Sequence, residues 1–118
     1  MSSMIENLPK TGHLEIDIKV TADVNISAYA ARKKVDDFIL SNVSYMMHAG
    51  EAQFIIDDRI RWRVPVILSL TTRGDVGEVG GIDVDVETGQ MYITPHLIRE
   101  ICERAESLIG RTAKAAKE

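Results

Sequence analysis

Three carboxylates, Asp83, Asp85 and Glu87, alternate with Ile82, Val84 and Val86 in the stretch GGIDVDVETGQ at 80–90. Acids at this spacing are candidates for calcium binding, for general acid and base catalysis, or for pairing with cations on a neighbouring strand. Calcium fails on chemistry: an EF-hand loop begun at Asp83 needs Gly at its sixth position and a bidentate Glu at its twelfth, and the chain has Thr88 and Thr94 there. Strand geometry spreads the acids over ~13 Å, too far for all of them to grip one ion. No metal or cofactor is expected.

A matching row of cations precedes them. RIRWRVPVILSLT (59–71) sets Arg59, Arg61 and Arg63 on one side of a strand and Ile60, Trp62, Val64, Val66, Leu68 and Leu70 on the other. Thr72-Arg73-Gly74 ends in glycine, as a bulged three-residue hairpin connection does. With Thr71 opposite Asp75, Leu70 meets Val76, Val66 meets Gly80, Val64 meets Ile82, Trp62 meets Val84 and Ile60 meets Val86, while Pro65 faces Gly81. One apolar residue, Leu68, is mismatched, against Glu78. The same register sets Arg63 opposite Asp83, Arg61 opposite Asp85 and Arg59 opposite Glu87. The charged rows thus read as a cross-strand ladder, each exposed pair adding only ~0.2–1 kcal/mol.

Other candidate chemistry is sparse. Arg59, Arg61 and Arg63 with Trp62 would suit a nucleic-acid strip, since arginine forks phosphates and tryptophan stacks on bases. Parity turns Trp62 to the opposite face, however, and the acids cancel the positive potential. His13, His48 and His96 have no ligand spacing. Cys102 lies on the apolar stripe of a helix and reads as a small core residue, with no activating neighbour. GDVGEVGG (74–81) lacks the following helix and the Lys-Ser/Thr of a phosphate loop. LPKTG (8–12) reads as a loop and RGD (73–75) as a turn. No catalytic residue is expected.

The elements that must position these residues follow from periodicity. HLEIDIKV (13–20) alternates strictly, with Leu14, Ile16, Ile18 and Val20 on one side, and predicts a half-buried strand after a loose segment at 1–12. Ala31, Val35, Phe38, Ile39, Val43 and Met46 recur at three and four and predict an amphipathic helix from Ser27 to about His48, capped by Asn25 or Ser27 and stopped at Gly50. A strand at AQFII (52–56), the two hairpin strands and a short strand at MYI (91–93) come next. Thr94-Pro95 then opens a last helix, expected to end at Gly110 before a polar tail at 111–118. The fold class is α+β, an antiparallel sheet with both helices on one face, in the order β-α-β-β-β-α over a single domain at 13–110.

Composition sets the outer bounds. The chain has 118 residues, 45% of them hydrophobic, and a net charge of −4, enough to build one core and too acidic overall to attract nucleic acid or anionic lipid. A single cysteine cannot close an internal disulfide, the start MSSMIENLPK lacks the design of a signal peptide, and no apolar run approaches the ~20 residues of a membrane span. A cytoplasmic protein is expected.

At 82–91, IDVDVETGQM resembles the signature that closes a PepSY-like domain, a strand ending in Val-Asp-x-x-Thr-Gly-x and an apolar residue. The preceding elements are similar in order, so the likeness extends over about residues 27–93. It implies a small non-catalytic domain that binds or inhibits a partner, as such domains do beside peptidases. The order helix, three strands, helix is also similar to a double-stranded-RNA-binding domain. That family carries a lysine cluster at the start of its last helix, where this chain reads TPHLIRE.

The expectation is a non-enzymatic protein-binding or assembly module, a homodimer, with an interaction face of Arg59, Arg61, Arg63, Pro65, Ile67, Val79, Asp83, Asp85 and Glu87. Its apolar centre would be ringed by charge, a common interface anatomy. The alternatives are a nucleic-acid-associated module using Arg59, Arg61 and Arg63 or the basic tail, and a small hydrolase or ligand carrier using Asp83 or Asp85.

Overall fold

A computed structural model describes residues 12–17 and 19–117, with side-chain surroundings as far as Arg111. The loop expected at 1–12 lies outside the described residues except for Gly12, as does most of LPKTG. The elements are α1 (Ala28–Asn42), β1 (Met47–Ala49), β2 (Gln53–Ile56), β3 (Ile60–Leu70), β4 (Gly74–Asp85), β5 (Met91–Tyr92) and α2 (Pro95–Lys117). They form an antiparallel sheet ordered β1-β3-β4-β5, with β2 following β1 along the same edge of β3.

The α+β class holds, with both helices covering one sheet face, but the order differs from expectation at its start. Residues 13–17, 19 and 20 form no strand and are exposed. Their alternation is real, yet among the described residues no strand pairs with them to complete the backbone hydrogen bonds. The first helix also ends early, at Asn42, and the residues expected to continue it turn into β1, where Met47 and Ala49 are buried. Ser27 caps α1 as expected, its hydroxyl accepting the Ala30 N–H at 3.1 Å. Thr94 does the same for α2, accepting from Leu97 at 3.1 Å. That helix runs through Gly110 to Lys117, so the 111–118 tail is largely helical.

The core joins α1 (Ala31, Val35, Ile39) and α2 (Ile101, Ala105) to Val64, Val66 and Leu68 of β3 and Ile82 and Val84 of β4. The expected β3–β4 register holds from Arg61 opposite Asp85 through Pro65 opposite Gly81 to Val66 opposite Gly80. It then shifts twice, between Val66 and Ile67 and between Leu68 and Ser69. These irregularities are β-bulges in β4, each placing one extra residue against β3. They remove the one mismatch of the uniform register, because Leu68 now faces Gly77 rather than Glu78. They also turn Val79 into the core, fully buried, so it does not belong to the charged face where a uniform register would put it.

Glycines let α2 approach that bent strand. A Cβ on Gly80 would stand 2.6 Å from Ile101 Cγ1, and one on Gly77 would stand 3.2 Å from Leu108 Cδ1. The hairpin turn closes with Arg73 N–H donating to Leu70 O at 3.1 Å, and Gly74 takes φ +72°, the left-handed conformation this bulged turn needs.

Candidate functional site

The face of the sheet away from the helices carries the charged rows. Asp83 is their hub. Its Oδ2 accepts from Arg61 Nε at 2.8 Å and from Arg63 Nη2 at 3.4 Å, and its Oδ1 accepts from Arg63 Nε at 3.0 Å. Arg61 reaches on to Asp57 Oδ1 at 2.6 Å across the β2–β3 turn. Its side chain keeps 14% of its surface exposed, against 50% for Arg63. The guanidinium of Arg61 holds Asp57 well below the usual carboxylate range, and the Asp57 carboxylate in turn raises the pKa of Arg61.

The backbone pairing is thus as the sequence predicts at Arg61–Asp85 and Arg63–Asp83, but the side chains choose differently at one rung. Asp85 does not bond Arg61. Its Oδ1 accepts the backbone N–H groups of Glu87 at 2.8 Å and Thr88 at 2.9 Å, and its Oδ2 accepts the Tyr92 hydroxyl at 3.0 Å. The N–H groups of Thr88 and Glu87 hold its pKa down. This carboxylate shapes the turn into β5, where Gly89 takes φ +79°.

The outermost rung, Arg59 with Glu87, is not formed. Both residues lie beyond the paired strands: Arg59 stacks its guanidinium 4.7 Å above the Tyr92 ring, and Glu87 Oε1 accepts the Asp23 N–H at 3.1 Å. Strand pairing ends at Asp85, so nothing holds the outer pair in register.

Beside the hub lies an open groove of about 370 Å³, walled by Arg63 and Asp83 from the sheet and Arg104 from α2, with Glu78, Pro65 and Gly81 along it. Ile67 is half-buried on the same sheet face, opposite Glu78. Arg104, like Asp57 and Tyr92, is not among the residues expected on this face. It comes seven positions after Leu97, two helical turns on, and both line the groove, so the helical period carried the signal once Leu97 was placed.

Elsewhere, His48 Nε2 lies 3.0 Å from Asp75 Oδ1, and the Ser69 hydroxyl also bonds Asp75. The Asp75 hydrogen bond raises the His48 pKa above its usual value, and Ser69 and His48 lower that of Asp75. The RGD string therefore has its aspartate tied to the sheet. Cys102 is half-buried. Among the described residues, no three His, Cys, Asp or Glu side chains gather in a metal-holding group, and no helix is long and apolar enough to cross a membrane.

Compared with known proteins, the chain matches no family model, no curated protein and no solved structure.

Proposed function

We propose that this protein is a small non-catalytic module that binds another protein through the charged face of its sheet, at the groove where that face meets α2, and associates with a second copy of itself. The observation that carries the reading is the makeup of that face. Half-buried Pro65 and Ile67 lie beside a groove whose charges are already organised by the Arg61–Asp83–Arg63 network. A preorganised charged rim around a small apolar centre favours protein recognition and limits the ordering needed on binding. The carboxylates serve as acceptors within the fold, and Asp85 is shifted away from the range that a general acid needs at neutral pH. The resemblance of 82–91 to a PepSY-like ending agrees with a binding role, and a lone cysteine suits the cytoplasm.

The test compares wild type with Ile67→Asp, on the face, and Leu40→Asp, on the exposed side of α1, as baits in a lysate of the source organism. A protein held by wild type and Leu40→Asp and lost with Ile67→Asp supports the reading. Equal capture by all baits, or salt-sensitive retention of the pure protein on duplex RNA, overturns it.

A further inference from the structure

Two stretches of one sheet edge are treated differently. Along β1, the outward backbone of Ala49 is occupied by α1: its N–H donates to Asp36 Oδ1 at 2.8 Å, and its carbonyl accepts from Arg32 Nε at 3.2 Å. Along β2, the Asp57 N–H donates to Arg59 O, so the alternation of an antiparallel ladder turns the N–H and C=O of Phe54 and Ile56 outward. Among the described residues, β2 has no strand on that edge. Phe54 and Ile56 are also 44% and 59% exposed on the helix-side face.

The chain has a segment of the complementary kind. Residues 13–20 alternate as a half-buried strand does, and Leu14, Ile16 and Val20 are 50%, 54% and 49% exposed. We infer that this arm leaves its own copy and adds as an antiparallel strand to β2 of a second copy, in a reciprocal exchange. The inference rests on the self-association proposed above and names its route.

Charge selects the register. With Leu14 beside Ile56 and Ile16 beside Phe54, the apolar side of the arm extends the exposed apolar row, and Lys19 falls beside Glu51 and His13 beside Asp57. Asp17 then meets Gln53, and Glu15 meets Ile55. Sliding the arm by two residues sets Asp17 against Glu51 in one direction and Glu15 against Asp57 in the other. Sliding by one turns the apolar side to the charged face.

A copy cannot do this to itself. In that register Val20 lies beside Gly50, whereas its own Val20 to Ala22 stand next to Asp57 and Asp58, ~23 Å away along a strand. Contacts at the root of the arm, just before α1, fix it there. The N–H groups of Asn25 and Ile26 both donate to Val86 O, at 2.8 and 3.0 Å, and Trp62 Nε1 donates to Ile26 O at 2.7 Å.

Light scattering of the full chain tests the exchange. Wild type is expected as a dimer, with Ile16→Asp and Ile56→Pro each monomeric and unchanged in thermal unfolding of the single copy, since both sites are exposed there. Lys19→Glu is expected to weaken the dimer about tenfold, two symmetry-related pairs turning repulsive, and adding Glu51→Lys to restore it. A dimer that survives all these variants overturns the exchange while leaving self-association standing. A monomer whose arm amides are protected from hydrogen exchange shows the arm folded on its own chain and overturns the exchange. A monomer with unprotected arm amides at every concentration overturns both.

Discussion

The indole of Trp62 donates to the Ile26 carbonyl at 2.7 Å, tying the start of β3 to the segment that enters α1. The same ring packs edge-on to Phe54, with centroids 5.1 Å apart. One side chain therefore holds both the root of the arm and the strand at the open edge. Trp62→Phe keeps most of the ring contact and removes the donor. It is expected to cost about 1–2 kcal/mol in denaturant unfolding. Amide exchange at Asn25 and Ile26 should quicken in the variant, and unchanged rates there would mean the bond to Val86 alone fixes the segment.

Arg61 and Arg63 share Asp83 but differ in exposure, and the difference sets their worth. Arg61→Ala is expected to destabilise the fold by about 1–3 kcal/mol, because a largely covered guanidinium loses charge-assisted bonds to two carboxylates. Arg63→Ala, half exposed, should lose under ~1 kcal/mol. Equal losses would show that the hub is not organised around Arg61. Charge reversal at Arg61 therefore probes the fold, and reversal at Arg63 probes the face.

Neighbouring glycines in β4 make a sharper contrast. Gly80→Ala drives a Cβ into Ile101 and is expected to cost about 1–3 kcal/mol, whereas Gly81→Ala, whose Cβ would stand 3.6 Å from Arg63 Cγ, should stay within ~0.5 kcal/mol. Combined with Ile101→Ala, Gly80→Ala should cost less than the sum of the two single losses in a thermodynamic cycle. Additive losses would place the strain elsewhere.

The His48–Asp75 pair gives a pH dependence of defined sign. Since folding raises the His48 pKa, its contribution is complete below the ordinary value of 6.5 and is lost as pH rises through the raised one. Since folding lowers the Asp75 pKa, its contribution is complete above the ordinary value of 3.8 and is lost as pH falls through the lowered one. The pair therefore acts fully between those two ordinary values. In an NMR titration, Asp75→Asn should move the His48 midpoint down, and an unmoved midpoint would sever the pairing.

Much of this was legible in the residues, wherever a local rule and a long-range rule agreed. The hairpin register from Arg61 to Val66 could be read because six successive cross-strand pairs matched apolar with apolar, charge with charge and Pro65 with Gly81. Thr94-Pro95 fixed the start of α2 by backbone chemistry alone. The bulges that bury Val79 were signalled only by the misfit of Leu68 against Glu78, and a misfit says that a register breaks without saying where. Residues 43–48 kept a helical period by coincidence, while their partners on β3 decided them as a turn and a strand. Diagonal choice among charges, Arg61 for Asp83 over Asp85, depends on side-chain reach and on a turn competing for Asp85, neither of which spacing encodes. For the arm, alternation identified a strand's faces but not its neighbour.

The occupied backbone of Ala49 bears on how far such molecules can join. An edge open along its whole length offers a long template on which further strands can add, the route to aggregation. With Asp36 and Arg32 of α1 occupying that edge at Ala49, only its β2 stretch is left to pair there, and a contact that uses this stretch reciprocally closes on itself with twofold symmetry. The two side chains act as a terminator on that edge, limiting the length of backbone a second strand can pair with there.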